Sequence, residues 1–284
     1  MNANSHPSAL ASFWSFLGRN KLGLVPGALR QSARRKFSRS QRGNLIVCDT
    51  RPGFRLECRI GDPLDNLVYF DGEFEPELRL FLDQHGGSFS TIVDVGCNIG
   101  YVSCLLAARH PSARIVSLDA NPEMIRRCEA NLKLNGFRAE TVCCALGERE
   151  ELRSFHVPKN RPSYASFGHL EHECDRIEVP VRRLDQLLRE KGIEQIDLLK
   201  IDVEGFEPPV LNGLGTLPVK NICLEFSPAN LKNCGFTPDD LWNRPLWKGY
   251  RLFLLENGTG NPLAFQPGRI PDNATDTAWA RAET

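Results

Sequence analysis

No C-x-x-C pair occurs among the ten cysteines, no long apolar run interrupts the chain, and the formal net charge is zero. Each absence removes a class of protein. Without closely spaced cysteine pairs the sequence argues against a zinc ribbon. Cys97, Cys104, Cys143, Cys144 and Cys223 sit in apolar runs, the usual place of buried thiols, so a reduced, cytoplasmic protein is expected. No apolar stretch reaches the roughly 20 residues needed to cross a bilayer. The balance of 35 basic and 35 acidic residues removes the simplest electrostatic case for a nucleic-acid binder. An N/D-P-P-[YF] base-reading motif is also missing. What remains, at 41% hydrophobic and 25% charged residues, is the ordinary composition of one large or two small globular domains.

Acidic residues are missing from one region. Arg19, Lys21, Arg30, Arg34, Arg35, Lys36, Arg39 and Arg42 all precede the first acid, Asp49, so a basic arm leads a mildly acidic body. The apolar segment ALASFWSFLG within the arm is followed, not preceded, by positive charge, which is the wrong order for a signal peptide. A loose arm over residues 1–43 is expected. The alternative is a membrane-surface helix, with Phe13, Trp14, Phe16 and Leu17 facing lipid and the following Arg and Lys holding anionic headgroups.

Residues 44–266 read as the folded body and 267–284 as a loose tail. Short apolar runs at 45–48, 54–60 and 67–70 suggest strands, and 75–84 a helix with Pro76 in its first turn. A regular beat follows: strand 91–95, helix 99–109, strand 113–118, helix 122–134, strand 141–146, then strands 196–201 and 221–226. Strands alternating with helices, in nearly continuous apolar runs, predict a parallel sheet covered on both faces. Runs 151–157 and 176–181 alternate and flank a polar loop, as an antiparallel excursion would. Runs 250–255 and 263–266 predict a closing hairpin.

Two segments carry chemistry. Asp94-Val95-Gly96-Cys97-Asn98-Ile99-Gly100 follows one strand and opens a helix. Gly96 permits a tight turn and a ligand's close approach, and Gly100 permits close packing of helix on strand. Asp119 ends the next strand, roughly 20 residues on, where a carboxylate can accept ribose hydroxyls. Turn, acid and third strand together point to a nucleoside ligand. The second segment, Lys200-Ile201-Asp202-Val203-Glu204-Gly205-Phe206-Glu207, places carboxylates at a strand's C-terminal end, where open α/β sheets bind ligands. Glu207 reads as a cap of the next helix.

The motifs D-V-G-C-N-I-G-Y, D-A-N-P and L-L-K-I-D-V-E-G-F-E-P-P-V-L-N-G, with F-E-P-E at 74–77, L-D-Q-L-L at 184–188 and C-L-E-F-S at 223–227, resemble those of the FkbM family of S-adenosylmethionine-dependent methyltransferases. The likeness runs from about residue 72 to 226. Cys97 stands where alanine is usual, and Asp119 where glutamate is commoner. The resemblance implies an α/β, Rossmann-like class I methyltransferase fold, with a seven-stranded mostly parallel sheet, helices on both faces and an antiparallel last strand. It also implies O-methylation of a hydroxyl on a sugar, glycolipid or polyketide-type natural product.

S-adenosylmethionine is then expected to contact Glu75, Asp94, Gly96, Asn98, Gly100 and Asp119, with Ala145 and Leu146 flanking its adenine. A hydroxyl is a poor nucleophile, so a base or a metal must take its proton. Asp202, Glu204 and His169 are the catalytic candidates, beside His156 and His172. Asp202 and Glu204 together are also candidate ligands for Mg²⁺ or another divalent cation. The expected partner is a small-molecule or glycan hydroxyl, without nucleic acid, and with peripheral membrane contact through the arm as an option. Two other readings stay open: a nucleic-acid methyltransferase gripping with the basic arm, and a cofactor-binding protein without activity.

Overall fold

The computed structural model describes residues 9–19, 25–159, 162–168, 173–266, 269 and 274–283. The chain divides into two compact units, Met1–Phe74 and Glu75–Thr284.

The first unit contains helices α1 (Ala9–Gly18) and α2 (Gly27–Ser40), the strands β1 (Leu45–Asp49) and β2 (Arg55–Arg59), and helix α3 (Pro63–Asp71). Residues expected to form a loose arm are therefore helical where they are described. β1 and β2 pair antiparallel. The core gathers on Phe37, fully buried, which stacks on Tyr69 at 5.1 Å and meets Phe70 edge-on at 5.7 Å. The run 67–70, expected as a strand, lies inside α3. Local signals decide it: Asp62 accepts a hydrogen bond from the Leu64 amide, Pro63 occupies the first turn, and Gly72 closes the helix in a left-handed conformation. A capped start and a glycine stop outweigh four apolar residues.

The second unit opens with α4 (Pro76–His85), then β3 (Thr91–Val95), α5 (Tyr101–Arg109), β4 (Arg114–Asp119), α6 (Pro122–Leu134) and β5 (Glu140–Cys143). β7 (Glu151–Pro158) and β8 (Cys174–Arg182) form the expected antiparallel excursion, and the short β6 (Ala145–Leu146) leaves the main sheet to pair parallel with β8. The main fold resumes with α7 (Leu184–Glu190), β9 (Ile196–Ile201), α8 (Glu207–Asn212) and β10 (Val219–Glu225). It closes with α9 (Pro228–Asn233), α10 (Pro238–Trp242), β11 (Tyr250–Glu256), β12 (Pro262–Ala264) and β13 (Ala274–Ala282). The main sheet runs β12-β11-β13-β10-β9-β3-β4-β5.

β5, β4, β3, β9 and β10 are mutually parallel. Every residue of β9 is buried. Successive side chains of a strand point to opposite faces, so both faces of the sheet are covered here. The strand count is eight rather than seven, because the three-residue β12 extends one edge beyond β11.

The expected tail contains a strand. β13 lies between β10 and β11 and is antiparallel to both. Its sequence hides this, because small residues replace the branched apolar residues that mark strands. Ala278 and Ala280 enter the main core on one face. Trp279 on the other is buried and lies 4.3 Å from the ring of Phe81. Trp279→Ala is accordingly expected to lower unfolding free energy by about 3–5 kcal/mol, the range for truncating a buried large aromatic. Denaturant titration checks this, and an unchanged midpoint would return the segment to a dispensable tail.

Candidate active site

The sheet order changes direction between β3 and β9: one set of crossovers leads from β3 through β4 to β5, the other from β9 to β10. In open α/β sheets such a switch opens a crevice at the strands' C-terminal ends. Register brings the two chemical segments together there. Asp94 pairs with Lys200 and Val95 with Ile201, and the amide of Asp202 donates to the Val95 carbonyl at 3.0 Å.

Gly96 has φ +79°, and a Cβ there would sit 1.7 Å from the Asp202 carbonyl oxygen. The neighbouring strand end is therefore sufficient by itself to demand glycine here. Gly100, at φ +84°, permits close packing of helix on helix rather than of helix on strand: a Cβ would press on Cys128 of α6 at 2.8–3.2 Å. The Asn98 amide donates to Asp119 Oδ2 at 2.9 Å and the Asn121 amide to Oδ1 at 2.8 Å. Each carboxylate oxygen has a further lone pair, so Asp119 keeps acceptor capacity for another donor. Burial pushes its pKa up to about 6, against those two amides.

Lys200 organises the acids. Its ammonium lies 3.0 Å from Asp202 Oδ2 and 3.5 Å from Glu75 Oε1. Burial opposes its charge, but Asp202 and Glu75 outweigh that and push its pKa up. Glu75 is raised to about 7 by burial, with Lys200 pulling the other way. Asp94 is also raised by burial, and Ser103 Oγ donates to its Oδ2 at 2.6 Å. Glu75 Oε2 and Asp94 Oδ1 are buried without a hydrogen-bond partner. Two orphaned acceptors beside one glycine turn are costly in isolation and suit a cationic donor.

Glu204 has burial as its largest influence, followed by Asp202 and Glu207, and its pKa rises to about 8. Asn230 Nδ2 donates to Glu204 Oε2 at 2.7 Å and reaches Glu225 Oε1 at 3.2 Å. Burial and then Asp202 push Glu225 up to about 10. Glu207 does act at the helix start, accepting from the Val203 and Gly205 amides. Among the described residues, the non-glycine residues with positive φ are Glu75, Asn98 and Glu204. All three are candidate site residues, and unfavourable backbone held in place is characteristic of functional sites.

The remaining candidates separate. His169 and His172 lie outside the described residues. His156 is in β7, where its Nδ1 lies 3.0 Å from the Gly168 carbonyl oxygen. Leu146 is buried and its side chain packs into the main core. Ala145 belongs to a smaller cluster that also contacts Ala120, next to Asp119. Asp202 and Glu204 each have a protein partner: Lys200 holds the first and Asn230 the second. No group of three His, Cys, Asp or Glu among the described residues is placed to hold a metal ion.

Lys200, Glu225 and Asn230 had no assigned role from sequence. For Lys200 a signal existed: a charged residue in the interior of a buried strand requires a partner. Asn230 carries no such mark.

A family model described as the methyltransferase FkbM domain matches residues 94–258. The chain belongs to this family. The doubly wound sheet with its inserted antiparallel strand is the class I methyltransferase architecture that the motifs implied. Among curated relatives, AMB antimetabolite synthetase AmbE of Pseudomonas aeruginosa is 31% identical over 180 residues, covering 48% of this chain and 8% of that protein. Methyltransferase 1 of Beauveria bassiana is 29% identical over 145 residues, covering 44% and 58%. The 2-O-methyltransferase NoeI of Sinorhizobium fredii is 31% identical over 139 residues, covering 43% and 56%. The FkbM chain thus spans little more than half the length of the latter two and a small part of the first.

Two outcomes follow from the geometry. Gly96→Val is expected to prevent folding rather than yield a folded protein that fails to bind ligand, because its Cβ collides with backbone. Folded yield and a thermal melt check this; a normally melting variant would show that the two strand ends can separate. The second concerns pH. Glu75, Asp119, Glu204 and Glu207 have raised values of about 7, 6, 8 and 7, so between about pH 4.5 and 8 the folded state binds more protons than the unfolded one. Stability of the ligand-free protein is therefore expected to be highest near pH 5 and to fall toward pH 8. Glu204→Gln should flatten that slope in urea titrations, and a slope of opposite sign would contradict the burial of these acids.

Proposed function

We propose that this FkbM-family protein is an S-adenosylmethionine-dependent O-methyltransferase whose acceptor is a hydroxyl on a sugar, a glycolipid or a polyketide-type natural product. The observation that carries the reading is the pair of buried, donor-less oxygens, Glu75 Oε2 and Asp94 Oδ1, beside the glycine turn. A ligand bearing an ammonium group supplies the missing donors, and the amino-acid end of S-adenosylmethionine has one. Asp119 is available for ribose hydroxyls, Asn98 and the backbone from Gly96 to Gly100 for the body of the cofactor, and Ala145 for the adenine side. The name of the NoeI relative, a 2-O-methyltransferase, supports oxygen as the accepting atom.

The bound cofactor supplies an electrophilic methyl group. The protein's tasks are alignment and removal of the acceptor's proton. Glu204 suits the second task. It ends the strand-following turn at the crevice, is half-buried, and its pKa of about 8 lets it take and release a proton near neutral pH. Asp202, tied to Lys200, fixes the strand end and orients the acceptor. Burial of the crevice acids makes their charges felt strongly.

The experiment is transfer of a deuterated methyl group into a panel of oligosaccharides, glycolipids and polyketides, followed by mass spectrometry. Transfer to at least one hydroxyl is expected, with kcat rising through a group titration near pH 8. Glu204→Gln should abolish that rise and most of the activity while leaving cofactor affinity within about threefold, as loss of a group acting in the transition state does. Asp119→Ala should instead weaken cofactor binding by about 1.5–3 kcal/mol. Methylation of nitrogen or carbon only would overturn the O-transfer reading, and full activity of Glu204→Gln would remove the assigned base.

A further inference from the structure

The first unit carries most of the large apolar side chains that the described structure leaves in solvent. Leu10, Phe13 and Phe16 of α1 are 64%, 51% and 74% exposed, and Leu29, Leu45, Val47 and Leu67 are exposed too. On α1 the usual arrangement is inverted. Its small residues Ala11 and Gly18 are buried, and Ser15 Oγ lies 2.6 Å from the Tyr69 hydroxyl. Leu10, Phe13, Leu17 and Phe16 fall on the opposite side at helical spacing, an apolar stripe of about 120°. A helix ordinarily buries its bulky side against its own core; here the small side does that work.

The chemistry around the stripe has one sign. α2 carries Arg30, Arg34, Arg35, Lys36 and Arg39 and no acidic residue. Arg34 is used internally, donating to Asp71 and to the Gly18 carbonyl. Lys36 Nζ sits 4.3 Å from the Trp14 ring centroid, joining the basic helix to the apolar one. Arg35 and Arg39, one turn apart, are exposed. No acidic residue occurs anywhere in residues 1–48. An apolar stripe on α1 beside the acid-free basic helix α2 is complementary to a surface with apolar depth and negative charge.

We propose that the first unit binds anionic lipid bilayers, with Leu10, Phe13 and Phe16 inserted at the acyl boundary and Arg35 and Arg39 over the lipid phosphates. No helix among the described residues is long and apolar enough to cross a membrane, so the attachment is peripheral. Burying aromatic and aliphatic side chains supplies depth, and each basic residue near an anionic surface contributes about a fivefold gain in partitioning. The inference is independent of the methyl-transfer reading, because it uses none of the crevice residues.

The test is co-sedimentation of the full chain with vesicles of phosphatidylcholine containing 30 mol% phosphatidylglycerol, compared with phosphatidylcholine alone. Binding to the anionic vesicles, weakened strongly by 0.5 M NaCl, is expected. Phe13→Ser/Phe16→Ser should reduce partitioning more than tenfold, and Arg35→Gln/Arg39→Gln roughly 30-fold. All four side chains are exposed, so thermal melts should match the parent protein. Absence of binding to anionic vesicles overturns the proposal, as does equal binding by the Phe13→Ser/Phe16→Ser variant. A concentration-dependent dimer in sedimentation velocity that this variant abolishes, without vesicle binding by the parent, would assign the stripe to a second copy of the chain instead.

Discussion

The approach of Gly96 to the Asp202 carbonyl is the constraint on which the crevice depends. Where any other residue would place a Cβ within 1.7 Å of that oxygen, glycine lets the turn after β3 lie directly against the end of β9. The Asp202 amide to Val95 carbonyl bond closes the same joint. Through it, two segments far apart in sequence become one site, with the cofactor-type turn on one side and the carboxylates on the other. The flanking strands are buried on both faces, so neither end can retreat without opening a packed core.

Electrostatics builds on that joint. Lys200 enters the ring of Glu75, Asp94 and Asp202 from within the sheet, and Asp202 and Glu75 hold its charge there. One cation cannot neutralise every surrounding carboxylate. Burial first, and Asp202 as the leading neighbouring anion, raise the proton affinity of Glu75, Glu204 and Glu225, and acceptor oxygens are left without donors. Such a site is unsatisfied by itself, which is the condition under which a cationic ligand gains most from binding. The left-handed backbone at Glu75, Asn98 and Glu204 belongs to the same economy: unfavourable conformations persist because the packed sheet fixes their neighbours.

Much of this was legible before any coordinates. The strands 91–95 and 196–201 and the helix 122–134 are marked by continuous apolar runs, and by the Asn-Pro start of the helix, so local chemistry decides them. The antiparallel β7–β8 pair followed from alternation. The misreadings have physical causes. Residues 67–70 carry the apolar content of a strand, but Asp62, Pro63 and Gly72 impose a helix on them. β13 offers Ala-Trp-Ala in place of a branched run. Its strand exists because β10 and β11 present unpaired edges on both sides, a fact of the sheet rather than of the segment.

The candidate site divides in the same way. Residue types and spacing alone determined that the chain has a glycine turn, a following acid, an acid-rich strand end and a parallel α/β sheet, and the resemblance of those motifs implied its family. Those signals are local, set by where a turn must bend and where a helix must start. Only the tertiary structure decided that Gly96 lies against the Asp202 carbonyl, that Leu146 turns into the core, that Asp202 is held by Lys200, and that burial raises the proton affinity of Glu204. These depend on burial and on distances between side chains brought together by register. A charge in a sequence has no fixed partner or dielectric until the sheet supplies both.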